Sequence, residues 1–140
     1  PTRTIPQGLS AMLAFDPDAD LEQNREAMLE AAGNVDPGRV TFAARDSEFG
    51  GHIIHQGDIL GLKNGKLDYI EKDPVTACVR VTRSLSSKHT SFVTLIYGEG
   101  VTQEQAEEAK RRLEDRLHAD VEITLVDGGQ PVYYFIISVE

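Results

Sequence analysis

The alternation of apolar and polar residues over positions 91–140 predicts a strand, a helix and two further strands. Residues 92–97 are apolar on both alternating faces, which is typical of a central strand covered on both sides. A T-x-x-Q capping pair, Thr102 and Gln105, begins the helix. Its apolar stripe recurs at steps of three and four residues: Ala106, Ala109, Leu113 and Leu117. Alternation at 121–125 and an apolar run at 132–139 predict the last two strands. We expect the rest of the chain to pack around this βαββ unit.

Helical periodicity dominates the first third of the chain. Residues 2–5 are interpreted as the tail of a strand, and residues 6–14 as a short helix that Asp16-Pro17-Asp18 interrupts. The pair Asp20 and Gln23 caps a longer helix, which should stop near Gly33-Asn34. The buried stripe predicted for this second helix is Leu21, Met28, Ala32 and Val35.

After Asp36-Pro37-Gly38 the pattern changes from helical to alternating periodicity. Strands are predicted at 40–44, with Val40, Phe42 and Ala44 on one face, and then at 52–55 and 58–62. Asn64-Gly65 predicts a type I′ hairpin turn, because both residues tolerate positive φ, and residues 67–71 form the returning strand. A helix then begins at Asp73-Pro74, with the buried stripe Val75, Cys78, Val79, Thr82 and Leu85.

These elements predict an α/β fold. We expect a mixed β-sheet covered by helices, with the C-terminal βαββ unit and an additional β-hairpin around 58–71. A chain of 140 residues is long enough for one domain with its own core, so residues 1–140 are predicted to form a single domain. The chain opens on Pro1 without an initiator Met, which suggests a fragment of something longer; processing or a trimmed tag would explain it equally well.

Charge and composition narrow the possible partners. With 14 basic and 23 acidic residues the net charge is −9, which repels nucleic acid and anionic membranes over most of the surface. No apolar run approaches the roughly 18 residues of a membrane span, and no signal peptide is recognisable. Cys78 is the single cysteine, so no intrachain disulfide can form, and we expect a cytoplasmic location.

The residues that could carry chemistry all have simpler interpretations. Gly98-Glu99-Gly100 has the position of a phosphate loop but lacks a third glycine and a following Lys or Arg, so a tight turn is favoured. His52 and His55 suggest a metal site, but a spacing of three in a strand places them on opposite faces. Cys78 lies on an apolar stripe, and the serines near His89 lack a nucleophile elbow. The residues alone indicate a binding or scaffolding module with neither a catalytic nor a metal site.

Four stretches together resemble the C-terminal region of the large, ATP-binding subunit of bacterial fatty acid kinase, also called dihydroxyacetone kinase-like or DAK-domain protein. They lie at 5–15, at 44–47 leading to Gly57-Asp58-Ile59-Leu60-Gly61, at 93–99, and at 128–133 with the terminal Ile136-Ile137-Ser138-Val139-Glu140. Their order and spacing cover essentially the whole chain, and the last stretch is the most specific. Residues 46–56 depart from the family pattern, because Phe49-Gly50-Gly51-His52 is more apolar and glycine-rich.

The resemblance implies that this chain is the last subdomain of a longer kinase. ATP and Mg²⁺ would bind an upstream helical domain, and no cofactor is expected in this fragment. A separate DegV-like fatty-acid-binding protein would present the acyl substrate, from which the kinase makes an acyl phosphate. The expected partners are that carrier and the upstream domains of the same chain.

Contacts with the carrier are expected from loops at the strand ends, because loops on a rigid sheet commonly carry recognition. The candidate partner-binding residues are Arg45, Asp46, Gly98, Gly100, Gly128, Gly129, Gln130 and Pro131. Two alternatives remain open: a self-contained small-molecule enzyme, assisted by a metal at His52 and His55, and a purely structural subdomain.

Overall fold

A computed structural model describes residues 2–140 of the chain. Pro1, where we expected a fragment to begin, lies outside the described residues. The helices are α1 (Ile5–Leu13), α2 (Leu21–Gly33), α3 (Pro74–Leu85) and α4 (Gln103–Glu114). The strands are β1 (Asp36–Phe42), β2 (Ser47–Phe49), β3 (His52–Ile54), β4 (Ile59–Lys63), β5 (Lys66–Glu71), β6 (Phe92–Tyr97), β7 (Glu122–Asp127) and β8 (Phe135–Val139).

Six strands form one mixed sheet in the order β5-β4-β1-β8-β6-β7. Strands β6 and β7 are parallel, an arrangement that needs a crossover connection, which α4 supplies, and the other neighbouring pairs are antiparallel. Strands β2 and β3 form a separate two-stranded sheet. The predicted α/β class, the βαββ unit and the hairpin at 58–71 are confirmed.

One face of the sheet carries the hydrophobic core. Helix α3 packs against β1, β4, β5 and β8, and α4 packs against β7 and α3. The largest side chains with less than 2% exposure include Val40, Val81, Leu95, Leu113 and Phe135. Because every second residue of a strand points to this face, the strands and the two helices together exclude water from a continuous apolar layer.

The opposite face is only partly covered. Helix α1 lies against β8, where Ile136 and Ser138 are buried. On the neighbouring strand β6, Phe92 is 52% exposed. The prediction that residues 92–97 are covered on both sides is therefore wrong, whereas β8 is buried at all five positions.

The predictions that depend on a few neighbouring residues are confirmed. Both capping boxes form, at Asp20–Gln23 and at Thr102–Gln105. Asn64 (φ 51°) and Gly65 (φ 80°) make the two-residue hairpin turn. Asp73 caps α3, and the whole predicted stripe of that helix is buried.

Four local predictions are wrong. The strand predicted at 40–44 lies instead at Asp36–Phe42, where Gly38 is so close to α3 that an added Cβ would be 2.7 Å from a Val81 methyl group. The expected strand tail at 2–5 instead leads into α1, with Thr4 as its cap. The strand expected from residue 132 begins at Phe135. Leu21, assigned to a buried stripe, is 85% exposed.

Candidate functional site

Several strands of the main sheet have loops at the same edge. Strands β1, β6 and β7 end there and β8 begins there, since Val40 and Tyr97 both pair with Phe135 and Asp127 pairs with Tyr97. We call this edge, with its loops at 43–58, 98–102 and 128–134, the carboxyl edge. All the predicted partner-binding residues lie on it: Arg45, Asp46, Gly98, Gly100, Gly128, Gly129, Gln130 and Pro131.

Two of these loops are hydrogen-bonded to each other. The N–H of Gly98 donates to the Tyr134 carbonyl oxygen (3.0 Å), and the N–H of Glu99 donates to the Gln130 carbonyl oxygen (3.1 Å). The Gln130 amide then donates to the carbonyl oxygens of Ile96 (3.0 Å) and Tyr133 (3.3 Å). Gln130 therefore ties the 128–134 loop to the end of β6.

Close packing explains why three of the loop positions are glycine. An added Cβ at Gly98 would lie 2.5 Å from the Gln130 carbonyl oxygen, and one at Gly100 would lie 2.7 Å from the Tyr134 ring. One at Gly128 would lie 2.5 Å from an Ile96 methyl group. These glycines have structural roles, and their contact with a partner stays a prediction.

The turn at 98–100 does not suit a phosphate group. Phosphate loops offer free backbone N–H groups to the anion, but here the N–H groups of Gly98 and Glu99 already donate to the 128–134 loop. Glu99 adds a negative charge at the same turn. The residues present do not fit ATP at this position, and we assign no nucleotide chemistry to it.

Val132 has an unusual backbone conformation in the 128–134 loop. Its φ is +72°, a region that β-branched residues rarely adopt. The N–H of Tyr133 donates to the Pro131 carbonyl oxygen (2.8 Å) across it, which is the hydrogen bond of a γ-turn. Such strained residues cluster at functional sites, so Val132 marks this loop as a binding candidate that the sequence did not reveal.

The third loop carries a β-hairpin, β2–β3, which we call the arm (residues 47–54). At the base of the arm the Asp46 carboxylate accepts from the N–H of Gln56 (2.6 Å), and Asp58 accepts from the N–H of His55 (2.9 Å). Two side chains of the arm are exposed although they are apolar: Phe49 (57%) and Ile53 (70%). The strand predicted at 52–55 corresponds to β3 of the arm, whereas its partner β2 was not predicted.

Neither the histidines nor the cysteine form a reactive centre. His52 and His55 are both exposed, and within residues 2–140 no group of three or more His, Cys, Asp or Glu side chains is placed to hold a metal ion. Cys78 is fully buried on α3, and burial raises the pKa of its thiol. A thiol with a raised pKa is a poor nucleophile near neutral pH. Of the helices in the described range, none has the length and apolar composition of a membrane span.

Comparison with known proteins gives a family for the whole chain. The family model for the C-terminal region of FakA-like fatty acid kinase proteins matches residues 1–140. Protein YloV of Bacillus subtilis (strain 168) is 36% identical over 140 residues, and an uncharacterized protein of Staphylococcus aureus (strain USA300) is 32% identical over the same length. The chain is matched over its full length in both comparisons but spans only 25% of each relative.

Solved structures share the fold at low sequence identity. A DegV family protein from Corynebacterium glutamicum superposes with a TM-score of 0.61 at 12% identity, over 95% of this chain and 57% of that protein. A second DegV family protein, from Ruminococcus gnavus ATCC 29149 and described with vaccenic acid, has a TM-score of 0.57 at 15% identity, over 96% of this chain and 54% of that protein. At such identities the likeness is one of fold alone.

Proposed function

The chain belongs to the FakA-like family of fatty acid kinase C-terminal regions, and on this basis we propose that it is an accessory domain of a fatty acid kinase which docks a DegV-like fatty-acid-binding protein. In this proposal the carrier presents the acyl substrate. ATP and Mg²⁺ act in an upstream kinase domain, which makes the acyl phosphate. The relatives are about four times as long as this chain, which leaves room for that domain.

The observation that carries the docking role is the convergence of three loops on the carboxyl edge. Rigid strands hold these loops, so a partner would meet a preformed surface. The apolar side chains exposed on this surface are Phe42, Phe49, Ile53 and Val132. Large apolar side chains that remain exposed are candidate contacts for a protein partner. The vaccenic acid described with the Ruminococcus gnavus protein supports a DegV-like partner that carries an acyl chain.

A purely structural domain is the alternative that a specific observation favours. Gly98, Gly100 and Gly128 have packing roles that need no partner. In that case the arm would bind nothing, and substituting its exposed side chains would leave every binding measurement unchanged.

Titration calorimetry of the 140-residue chain with the DegV-like protein of the same organism tests the proposal. We expect a dissociation constant in the range of tens of micromolar or tighter. Replacing both exposed arm residues, Phe49→Ser with Ile53→Ser, should weaken binding at least about tenfold, because buried apolar anchors dominate interface energetics.

The matched control replaces two exposed leucines of the helical pair, Leu13→Ser with Leu21→Ser, which lie outside the carboxyl edge. This variant should bind the carrier as the unmodified chain does. Absence of binding at tens of micromolar by a folded chain would contradict the docking role. Equal weakening by the two double variants would contradict its location at the carboxyl edge.

A further inference from the structure

The helical pair α1–α2 forms a unit outside the main hydrophobic core. Helix α2 packs against α1, and α1 contacts β8. The Ser10 hydroxyl of α1 donates to the Ala31 carbonyl oxygen of α2 (3.1 Å), and the buried Asn24 amide donates to the Asp16 carbonyl oxygen (2.8 Å). Among the described residues, the main core cluster takes no side chain from either helix. The outward surface of the pair therefore has no role in that core.

Large apolar side chains of this pair remain exposed, and Leu13 is the most exposed of them at 89%. Those between residues 5 and 29 are Ile5, Leu9, Met12, Leu13, Phe15, Leu21 and Leu29. None of these seven lies on the carboxyl edge, so the docking proposal leaves them without a partner. Exposed apolar side chains of this size are candidate contacts for another chain.

A groove of about 450 Å³ lies between the two helices, and its lining is mostly apolar. Met12 lines it from α1, and Met28 and Leu29 line it from α2. A groove between two helices can accept the apolar face of a third helix, whose side chains at i, i+3, i+4 and i+7 enter it.

Gly8 keeps the α1 side of this groove open. Glycine weakens a helix relative to alanine, and among the described residues an added Cβ at Gly8 would meet only the Thr2 hydroxyl oxygen, at 3.6 Å. That distance is an ordinary contact, so packing within the described chain does not require glycine here. A position without a side chain allows another chain to approach the helix backbone closely.

The helical pair is also acidic. Residues 4–34 contain six acidic residues and one basic residue, Arg25. The acidic residues, all exposed, are Asp16, Asp18, Asp20, Glu22, Glu26 and Glu30. Arg25, which lines the groove, pairs with Glu22 (2.6 Å), and within residues 2–140 the other five acidic residues take part in no ion pair. A basic segment would be attracted to this surface, and an acidic one would be repelled.

The course of the polypeptide favours an occupant from the same protein. The chain matches a C-terminal family model and spans 25% of its relatives, so the proposed kinase has a long stretch of polypeptide upstream. Thr2 lines the groove, and the upstream polypeptide of such a kinase would therefore leave the domain beside it. A segment tethered next to its site has a high effective concentration there, so even weak contacts would keep it docked.

We infer that a basic amphipathic helix from the polypeptide directly upstream docks in the groove between α1 and α2. The docked helix would hold this domain, and a carrier bound at its carboxyl edge, in a fixed position relative to the kinase domain. The inference rests on the proposed function in one respect, because it requires that upstream polypeptide. Its surface is separate from the carboxyl edge, so the two proposals can fail independently.

Amide hydrogen exchange, followed by mass spectrometry, tests the inference on the full-length kinase and on the 140-residue chain. Peptides from Ile5–Gly33 should exchange at least about tenfold more slowly in the full-length protein, because docking suppresses local opening of the two helices. The arm should exchange equally in both proteins. Equal exchange of Ile5–Gly33 in the two proteins would overturn the inference.

Two variants of the full-length kinase locate the contact. Met12→Ser with Leu29→Ser removes apolar side chains that line the groove, and Gly8→Leu fills it. Each should raise the exchange of Ile5–Gly33 to the rate seen in the 140-residue chain, and the same changes made in the 140-residue chain should have little effect. If one variant does not fold, the other takes its place. Protection that survives both changes would overturn the groove as the site.

The matched control is the arm variant, Phe49→Ser with Ile53→Ser. It should leave the protection of Ile5–Gly33 unchanged, whereas Met12→Ser with Leu29→Ser should leave carrier binding unchanged. Loss of protection in the arm variant would overturn the separation of the two surfaces. Protection that appears only when the carrier is added, or that increases with protein concentration, would assign the groove to the carrier or to a second copy and overturn the inference.

Charge substitutions test the basic character of the docked helix. Glu22→Gln with Glu26→Gln should lower the protection of Ile5–Gly33 by about two- to fivefold, the effect of losing exposed ion pairs. Glu104→Gln with Glu107→Gln makes the same change of charge at exposed positions of α4, and it should leave the protection unchanged. Equal effects of the two double variants would overturn the basic character of the docked segment.

Discussion

The two faces of the six-stranded sheet are built from alternating residues of the same strands, yet they have different surroundings. In β1, Val40 points into the core beneath α3, and its neighbour Arg39 points into a cavity on the other side. In β6, Leu95 is fully buried, while Phe92 on the opposite face is half exposed. Helices α3 and α4 cover the first face, whereas α1 covers the second face at β8.

One face of the sheet therefore contributes mainly to stability, and the other face is available for recognition. The covered face removes large apolar side chains from water and so supplies most of the favourable free energy of folding. The second face retains exposed apolar and charged groups that a ligand or partner can meet. Substitutions on the two faces should therefore affect different measurements.

A pair of phenylalanine truncations tests this separation most strongly. Phe135→Ala removes a fully buried ring from the covered face and should lower the free energy of unfolding by about 3–5 kcal/mol. Phe92→Ala removes a half-exposed ring from the second face and should cost no more than about 1.5 kcal/mol, half the value of a fully buried side chain. Urea denaturation followed by circular dichroism measures both, and equal losses would contradict the distinction between the faces.

At the carboxyl edge, a single added methyl group should lower the free energy of unfolding. Gly98→Ala forces Cβ against the carbonyl oxygens of Gln130 and Tyr133, and should destabilise the chain by about 1–3 kcal/mol. Gly33 at the end of α2 has open space around it, so Gly33→Ala should be neutral or stabilising by up to about 1 kcal/mol. Thermal unfolding compares the two, and a stable Gly98→Ala variant would show that the loops at this edge move freely.

Asp73, which caps α3 on the covered face, should make a smaller contribution to stability, and that contribution should depend on pH. Burial raises the pKa of Asp73, but hydrogen bonds from Thr76 and Val75, with the charge of Arg112, outweigh it and hold that pKa below its ordinary value of 3.8. A group with a lowered folded-state pKa stabilises above its unfolded pKa, and this contribution is lost as pH falls through the folded value. Asp73→Ala should therefore cost about 1 kcal/mol at neutral pH and less in acid.

The control for this titration is Thr102→Ala, which removes a neutral cap from α4. Its cost should also be about 1 kcal/mol but should not change with pH, because a hydroxyl does not titrate in this range. Urea denaturation between pH 7 and about pH 3 measures both differences. A constant cost of Asp73→Ala across that range would contradict the lowered pKa.

Much of the secondary structure could be predicted from the sequence, because its signals are local. The capping pairs at Asp20 and Thr102, the Asn64-Gly65 turn and the stripe of α3 each depend on a few neighbouring residues. Local preferences decide such features unless tertiary contacts oppose them. The sequence pattern also predicted the three loops. It did not show that the strand directions place all three at one edge of the sheet.

The wrong predictions lie where contacts between residues that are far apart in the sequence decide the structure. The strand predicted at 40–44 lies at Asp36–Phe42, because pairing with β4 and β8 includes residues 36–38. The apolar run from Val132 was interpreted as strand, although hydrogen bonds to β6 and to Thr41 hold its beginning in a loop. The small cavity between the first turn of α1 and strands β1 and β8 could not be predicted, because its lining comes from separate parts of the chain.

The position of β8 has a consequence for synthesis. This strand lies between β1 and β6, so it alone joins the strands made early in the chain to those made late. During translation β1 and β4 emerge long before their central neighbour exists, and contacts across such sequence separation form slowly. Until β8 leaves the ribosome, the side of β1 that pairs with it has no partner strand, and such an unpaired edge favours aggregation.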